Sequence, residues 1–348
     1  MMLSKQRVSI FMLIFGVFFL PINIFGLSFY NFIFATTMLL NLKLLVENFR
    51  RERFIILLIL FSTVLTCFST VDLTSHLIGV ISFFVTCATL FLFYHLTRKN
   101  QNIQFTRNCF HYYVVIIFFM CISEVFFDLE FYYAAGERFG WARPFLFANP
   151  ISISVSVLGA LIYLRFRAVA NILSVASMIM FASYTAIASY LIHKSITTRA
   201  IMLMAIIAIS VLAVNLDLLG SFSVRYFLFT MVFDAFSALT PLQIFTGVGM
   251  RGVEEFNKMT ETLFLINDIT YFAKVTLESG VLGLIILIIF IKRFQFFYSG
   301  SILIIFFISV DQIFYFWSLA FLISGLETPS EKIYRKSYTS LLRNYPSK

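Results

Sequence analysis

The sequence predicts an all-α protein: a polytopic bundle of membrane helices with about twelve spans, ten being the alternative, and one large external loop. Of its 348 residues, 60% are hydrophobic and only 12% are charged, and the mean hydropathy is +0.93. A soluble domain carries roughly 25% charged residues, so this chain could not cover its surface with polar groups. Apolar runs of membrane-spanning length recur throughout, which predicts a single integral membrane domain over residues 1–348.

The basic residues follow a membrane pattern. The formal net charge is +9, but Lys and Arg collect in short connectors and at the termini, as membrane topology requires. We therefore expect a lipid bilayer, and no nucleic acid, as the partner of these charges. The four cysteines lie in or beside apolar runs without metal-ligand spacing, so we expect neither a disulfide framework nor a metal site.

The apolar runs define the predicted spans. They lie near 8–27, 29–46, 54–71, 74–96, 108–127, 149–164, 169–192, 200–216, 271–291 and 296–323. The first run is too long for a signal peptide and lacks a small-residue cleavage site, so we expect an uncleaved first span. Basic residues before this run and in the second and fourth connectors place the N-terminus in the cytoplasm.

This orientation puts the segment 128–148 outside, as a smaller periplasmic loop. Two topologies then compete. If 169–192 and 296–323 are single helices, there are ten spans and 217–268 is cytoplasmic; if each is a short hairpin, there are twelve and 217–268 is a large periplasmic loop. A single last helix would bury Asp311 near the bilayer centre at about 2.5–3.5 kcal/mol, which favours the hairpins. Both termini are then cytoplasmic.

The glycine-rich stretch FTGVGMRG interrupts this hydrophobic chain. Gly247-x-Gly249 lacks the GK[ST] ending of a nucleotide loop, and a tight turn is its simplest interpretation. Arg251 follows directly, and backbone N–H groups joined by a guanidinium can bind phosphate. With Arg143 and Arg225, it predicts three external arginines suited to a diphosphate, because the guanidinium fork matches phosphate oxygens.

Two carboxylates accompany the arginines. Asp268 precedes the span 271–291, and Glu278 lies within it before Gly280 and Gly283, which permit close packing. Either carboxylate could serve as a general base. A helix N-terminal carboxylate favoured by the dipole is an equally good interpretation of Asp268.

At these residues the chain resembles the O-antigen polymerase (Wzy) family, whose relatives include O-antigen ligases. Three patterns of the family occur in order: an Arg before the Asn-Pro that opens a helix (Arg143, Asn149); an Arg followed by P-L-x-x-F-x-G-x-G (Arg225, then 241–249); and a polar pair, an aromatic, an acid and G-x-x-G-L (Asn267-Asp268, Tyr271, Glu278 and 280–284). The resemblance covers about residues 143–284. The His-Asn that ligases carry before the last helix is missing, which favours a polymerase.

The resemblance implies twelve spans in the bacterial inner membrane and a periplasmic polymerase of undecaprenyl-diphosphate-linked oligosaccharide repeats. The product would be O-antigen, capsule or exopolysaccharide, and the partners a flippase and a chain-length regulator. Arg225, Arg251, Asp268 and Glu278 are then the expected catalytic residues. The expected substrate-binding residues are Arg143, Asn149, Gly247, Gly249 and Tyr271. We expect no cofactor.

Two alternatives remain open at the level of sequence. Asp128-x-Glu130 could hold a metal in a metal-dependent glycosyltransferase that uses lipid-linked sugars. A transporter or flippase of the same lipid-linked sugars would show internal repeats, and no convincing repeat is present.

Overall fold

A computed structural model describes about half of the chain in continuous stretches. The described residues are 4–24, 27–127, 136–138, 141–143, 146, 150–165, 167–181, 186–187, 190–191, 236–250, 252 and 271–293. These residues are mostly helical, in agreement with the all-α prediction.

Ten α-helices and two small hairpins have their bounds within the described part. The N-terminal half contains α1 (Lys5–Phe15), β1 (Asn23–Ile24), β2 (Leu27–Ser28), α2 (Phe29–Leu40), α3 (Leu42–Arg51), α4 (Arg53–Thr66), α5 (Leu73–Arg98) and α6 (Asn100–Phe127). The remainder contains β3 (Gly136–Arg138), β4 (Trp141–Arg143), α7 (Pro150–Tyr163), α8 (Ala168–Met180), α9 (Pro241–Thr246) and α10 (Tyr271–Arg293). Strands β1 and β2 pair antiparallel, as do β3 and β4.

The first apolar run is not the single helix that we predicted. Helix α1 ends at Phe15, a 3-10 turn covers Gly16–Phe19, and the chain then forms the β1–β2 hairpin. Pro21, which lies between the turn and the hairpin, has no backbone N–H and fixes φ, so it cannot continue a helix from the preceding turn. Apolar composition alone could not reveal this break.

The second run is also broken. Helices α2 and α3 meet at Asn41 with a bend of 82°. The Asn41 amide donates to Thr37 O at 2.9 Å and to Ser9 Oγ of α1 at 2.7 Å. A side chain that competes for backbone carbonyls favours a helix end, and here it also ties the bend to α1.

Helix α6 is the centre of the main core. It packs against α1, α5, α7 and α8, and it buries Phe110, Tyr113 and Ile117 completely. The buried hydroxyl of Tyr113 has a hydrogen-bond partner inside this core, because it lies 2.6 Å from Ser156 Oγ of α7. Such interhelical hydrogen bonds are typical of helices that pack without water.

Helix α7 begins at Pro150, as the sequence predicts, because proline is favoured at the first position of a helix. The next helix, α8, ends at Met180, and Phe181 is its C-cap. Tyr190 OH donates to Asn171 Oδ1 at 3.0 Å. In one straight helix these two residues would lie about 28 Å apart along the axis. The described residues 168–180 and 190–191 therefore do not belong to one straight helix, and the predicted hairpin stays a prediction.

A second group of helices consists of α4, α9 and α10, which contact one another. Helix α4 turns a row of large apolar side chains outward. The exposed members are Phe54, Leu57, Leu60, Phe61 and Val64, and Phe61 is 57% exposed. Water does not favour such a continuous apolar surface.

One described helix, Gln101–Phe127, is long and apolar enough to cross a membrane, and the bent pair α2–α3 would make a second. Five further apolar helices of the described chain are shorter. The predicted numbers of ten and twelve spans therefore stay predictions.

The basic connectors that the sequence places in the cytoplasm meet at one end of the main core. Arg7 Nη2 donates to Gln101 O at 3.2 Å, and Gln101 Nε2 donates to Gln6 Oε1 at 3.1 Å. The bond from Asn41 to Ser9 brings α3 to the same first turns of α1. The N-terminus, α3 and the α5–α6 connector thus lie together.

Candidate functional site

The glycine-rich segment begins with a well-capped short helix. Thr240 Oγ1 accepts from Gln243 N, the Gln243 side chain accepts from Thr240 N at 3.0 Å, and Pro241 occupies the first turn. This capping box satisfies the first donors of α9. The helix ends at Gly247, whose φ of 83° and ψ of 178° belong to a region that essentially only glycine adopts.

Helix α10 is broken where the glycine segment reaches it. Gly280 has φ 61° and ψ −159°, which interrupts the helical hydrogen bonds. The carbonyls of Leu277 and Glu278, just before the break, accept from Val248 N at 2.9 Å and Gly249 N at 3.0 Å. The glycine segment is therefore held against the broken helix by two backbone hydrogen bonds.

Two glycines, Gly247 and Gly280, allow the glycine segment and α10 to cross closely, because neither has a side chain. A Cβ at Gly280 would lie 2.6 Å from Gly247 N and from Phe245 O. A Cβ at Gly247 would clash with the Glu278 backbone. The two glycines thus let two backbones meet at a distance that no other residue permits.

The turn between α4 and α5 forms the third side of this junction. Ser69 Oγ lies 2.6 Å from Thr246 Oγ1 and donates to Gly247 O at 2.9 Å. Val71 N donates to Val248 O at 3.1 Å. Met250 N donates to His76 Nδ1 at 3.0 Å, which fixes the ring as the tautomer protonated at Nε2. We call 66–76, 241–250 and 277–280 together the glycine junction.

These contacts show what the glycine turn binds within the protein. The N–H groups of Gly247, Val248, Gly249, Met250 and Gly252 all donate to protein acceptors. They are therefore engaged, which fits the tight turn that is the simplest interpretation of the glycines, and phosphate binding with Arg251 stays a prediction. Substrate binding by Gly247 and Gly249 stays a prediction, but their observed part is to join α10 to the α4–α5 turn.

Glu278 lies at the centre of the junction. Its side chain is buried, with 8% exposed, and its carbonyl accepts the Gly249 N–H. A carboxylate buried in an apolar bundle is expected to be paired or to face a polar cavity, and this one lies at the helix break next to glycine-rich backbone. The structure thus brings together three of the predicted residues, Gly247, Gly249 and Glu278.

The other predicted site residues cannot be compared with these three. Arg225, Arg251, Asp268 and Asn149 lie outside the described residues, as does the Asp128-x-Glu130 pair. Arg143 and Tyr271 are described by their backbone alone: Arg143 pairs with Gly136 in the β3–β4 hairpin, and Tyr271 is the first residue of α10. Convergence of the three arginines stays a prediction.

Sequence reasoning missed the polar wall of the junction. Thr66, Ser69, Thr70 and His76 supply most of its side-chain contacts. The signal was present as TCFSTVDLTSH, a run of hydroxyl and charged residues between two apolar runs. Such a run is equally typical of an ordinary polar turn. Only its tertiary contacts with the glycine segment show that it belongs to the junction.

Asp72 sets the start of α5 beside this wall. Its side chain accepts from Thr74 N at 2.9 Å and caps the helix. The hydrogen bond from the Ser75 side chain is the main reason that the pKa of Asp72 lies below its usual value. The carboxylate is therefore charged at neutral pH and fixes the turn that holds the glycine segment.

A second buried carboxylate lies beside another predicted segment. Glu124, near the end of α6, is 1% exposed, and its Oε2 accepts from Leu146 N at 3.2 Å. Leu146 falls between Arg143 and Asn149, the ends of the first family-like pattern. Glu124 therefore holds Leu146 against α6, a contact that the sequence pattern does not indicate.

Among the described residues, no group of three or more His, Cys, Asp or Glu side chains could hold a metal ion. A scan of protein-family models finds no match to this chain, and a search of curated proteins finds none either.

Proposed function

We propose that the protein polymerises undecaprenyl-diphosphate-linked oligosaccharide repeats into a surface polysaccharide at the periplasmic face of the bacterial inner membrane. In this proposal, a hydroxyl of one lipid-linked unit attacks the anomeric carbon of the growing chain. The bond from that carbon to the lipid diphosphate breaks, and the diphosphate leaves with its electron pair. The hydroxyl proton passes to a carboxylate.

One observation carries the proposal. The resemblance to O-antigen polymerases rests in part on P-L-x-x-F-x-G-x-G and on the acid before G-x-x-G-L, about thirty residues apart in sequence. In the structure these two segments pair through their backbones, at Val248 and Gly249 with Leu277 and Glu278. Two patterns that belong to one site should meet in space, and these do.

The exposed apolar side chains support a membrane environment. The exposed apolar side chains of α4 and α6, such as Phe119 at 60% exposed, are more stable in contact with lipid than with water. The basic connectors lie together at one end of the main core, as cytoplasmic connectors should. The contact of Tyr190 with Asn171, which one straight helix excludes, favours the twelve-span topology, in which the loop 217–268 is periplasmic.

The chemistry follows from the residue types. Arg143, Arg225 and Arg251 bind the diphosphate, and their fixed positive charge stabilises the negative charge that develops on the leaving group. Asp268 or Glu278 accepts the hydroxyl proton. Because both substrates are anchored in one membrane, their meeting loses less entropy than that of two free molecules.

The test is the length of polymer made in cells that carry Arg225→Ala or Arg251→Lys. We expect single repeats or short chains from both, because a lysine cannot form the bidentate contact of an arginine. Gly252→Ala, next to Arg251, is the matched control and should make long polymer. Long polymer from both arginine variants would show the arginine assignment to be wrong.

Topology is tested separately, with reporter fusions after Arg199 and after Gly252. The proposal expects the first reporter in the cytoplasm and the second in the periplasm. A cytoplasmic reporter after Gly252 would place the junction on the wrong side for a periplasmic polymerase.

A further inference from the structure

Helix α3 does not continue in the direction of its predecessor. It leaves the axis of α2 at an angle of 82°, and the bond from Asn41 to Ser9 fixes the bend against the first turns of α1. Leu45 and Asn48 face inward and are buried. Helix α3 thus lies across the end of the main core instead of extending the span.

The rest of α3 divides into an apolar face and a charged face. Leu42 and Val46, one turn apart, are 55% and 42% exposed, and the partly buried Phe49 continues this face at the next turn. Lys43, Glu47 and Arg50 follow the same spacing on the adjoining face and are exposed. A helix with this division sits in the boundary layer of a bilayer, with its apolar side in the acyl region.

The exposed charge of this segment is strongly positive. Over 42–53 the exposed cations are Lys43, Arg50, Arg51 and Arg53, and Glu47 is the one exposed anion, which gives four minus one, or +3. The N-terminal turn of α1, with Lys5 and Arg7, lies at the same end. Cations at this level attract the anionic headgroups of the cytoplasmic leaflet.

We infer that α3 is an interfacial helix that binds anionic phospholipid headgroups through Lys43 and Arg50, with Leu42 and Val46 inserted among the acyl chains. The inference goes beyond the proposed polymerase and shares only the membrane with it. Binding at this face orients the bundle and holds its cytoplasmic end at a fixed depth. The ligand is the lipid surface itself.

The test titrates short-chain phosphatidylglycerol into the purified full-length protein in a neutral detergent and measures the thermal midpoint. We expect stabilisation by phosphatidylglycerol and none by phosphatidylcholine of equal chain length. Lys43→Gln/Arg50→Gln should require about 30-fold more phosphatidylglycerol for the same shift. The control, Lys99→Gln/Arg107→Gln, removes the same charge from the α5–α6 connector at the same end of the core, where both side chains are only partly exposed, and should lose clearly less of the response.

Three outcomes would overturn the inference. They are equal responses from the two double variants, no response of the wild type, and stabilisation by inorganic phosphate at the concentrations at which phosphatidylglycerol acts. The midpoint without lipid shows whether each double variant is folded. Polymer length in the same variants separates this inference from the proposed function, because a lost lipid response with normal polymer concerns α3 alone.

A second measurement reads the depth of the helix directly. A fluorophore is attached at Val46→Cys or at Glu47→Cys in a protein whose native cysteines are replaced, and brominated lipids serve as quenchers in vesicles. We expect strong quenching at 46 and weak quenching at 47. Equal quenching at the two neighbouring positions would show that α3 does not rest in the bilayer boundary.

Discussion

Replacing Gly280 by alanine should open the glycine junction. The backbone of Gly280 is in a region that costs a residue with a side chain about 1–3 kcal/mol. The new Cβ would also lie 2.6 Å from Gly247 N and from Phe245 O, and forcing backbones apart typically adds about 1–3 kcal/mol. We therefore expect Gly280→Ala to lower the free energy of unfolding by about 2–6 kcal/mol.

A thiol-reactive dye can follow thermal unfolding of the full-length protein in detergent. Cys109 and Cys121 are buried, so the dye reaches them only as the bundle opens. At the usual relation between free energy and midpoint, the loss corresponds to about 5–20 °C. If the proposed function is right, the same variant also makes shorter polymer.

Gly252→Ala is the control for the loss of a glycine as such. A Cβ there would have its nearest contacts at 3.5 and 3.8 Å from the Val248 side chain, which is ordinary packing. We expect its stability to stay within about 0.5 kcal/mol of the wild type. Equal midpoints for Gly280→Ala and Gly252→Ala would refute the argument from close backbone contact.

Two further predictions concern hydroxyl and carboxyl groups. Ser174 Oγ is buried without a hydrogen-bond partner, whereas Ser177 Oγ of the same helix donates to Leu173 O. Ser174→Ala should therefore raise the free energy of unfolding by about 1 kcal/mol, and Ser177→Ala should not. A lower midpoint for Ser174→Ala than for Ser177→Ala would contradict this. Because the folded-state pKa of Asp72 is lowered, chiefly by Ser75, its charge stabilises the fold above about pH 4 and the benefit is lost as the pH falls through the folded-state value. The advantage of wild type over Asp72→Asn in midpoint should disappear in acid, and a difference independent of pH would contradict the cap assignment.

Much of the helical organisation could be predicted from local sequence. Apolar runs predict the helices because the backbone N–H and C=O groups of an apolar segment must hydrogen-bond within the segment when water is excluded. Pro150 marks the start of α7, as expected. The basic connectors could likewise be grouped from their positions alone. The break after Phe15 could not, because the residues on both sides of it are apolar. Beyond Asn41 the chain becomes charged, at Lys43, Glu47 and Arg50, but this change does not give the bend of 82°.

The candidate site depends far more on tertiary contacts. Sequence order identified Gly247, Gly249 and Glu278 as notable residues, but it did not reveal which groups the N–H donors of the glycine turn would meet. The acceptors lie at Leu277, Glu278 and His76, and no local pattern reveals which distant carbonyl or ring will meet a given donor.

The sequence by itself therefore determined the helical, hydrophobic character of the protein and the candidate site residues to test by mutation. Tertiary structure alone decided that a turn near residue 70 holds a segment near 247, with Thr66 and Thr246 joined across 180 residues. The physical reason is that hydropathy acts on each segment separately, whereas a hydrogen bond between two segments exists only after both have been placed.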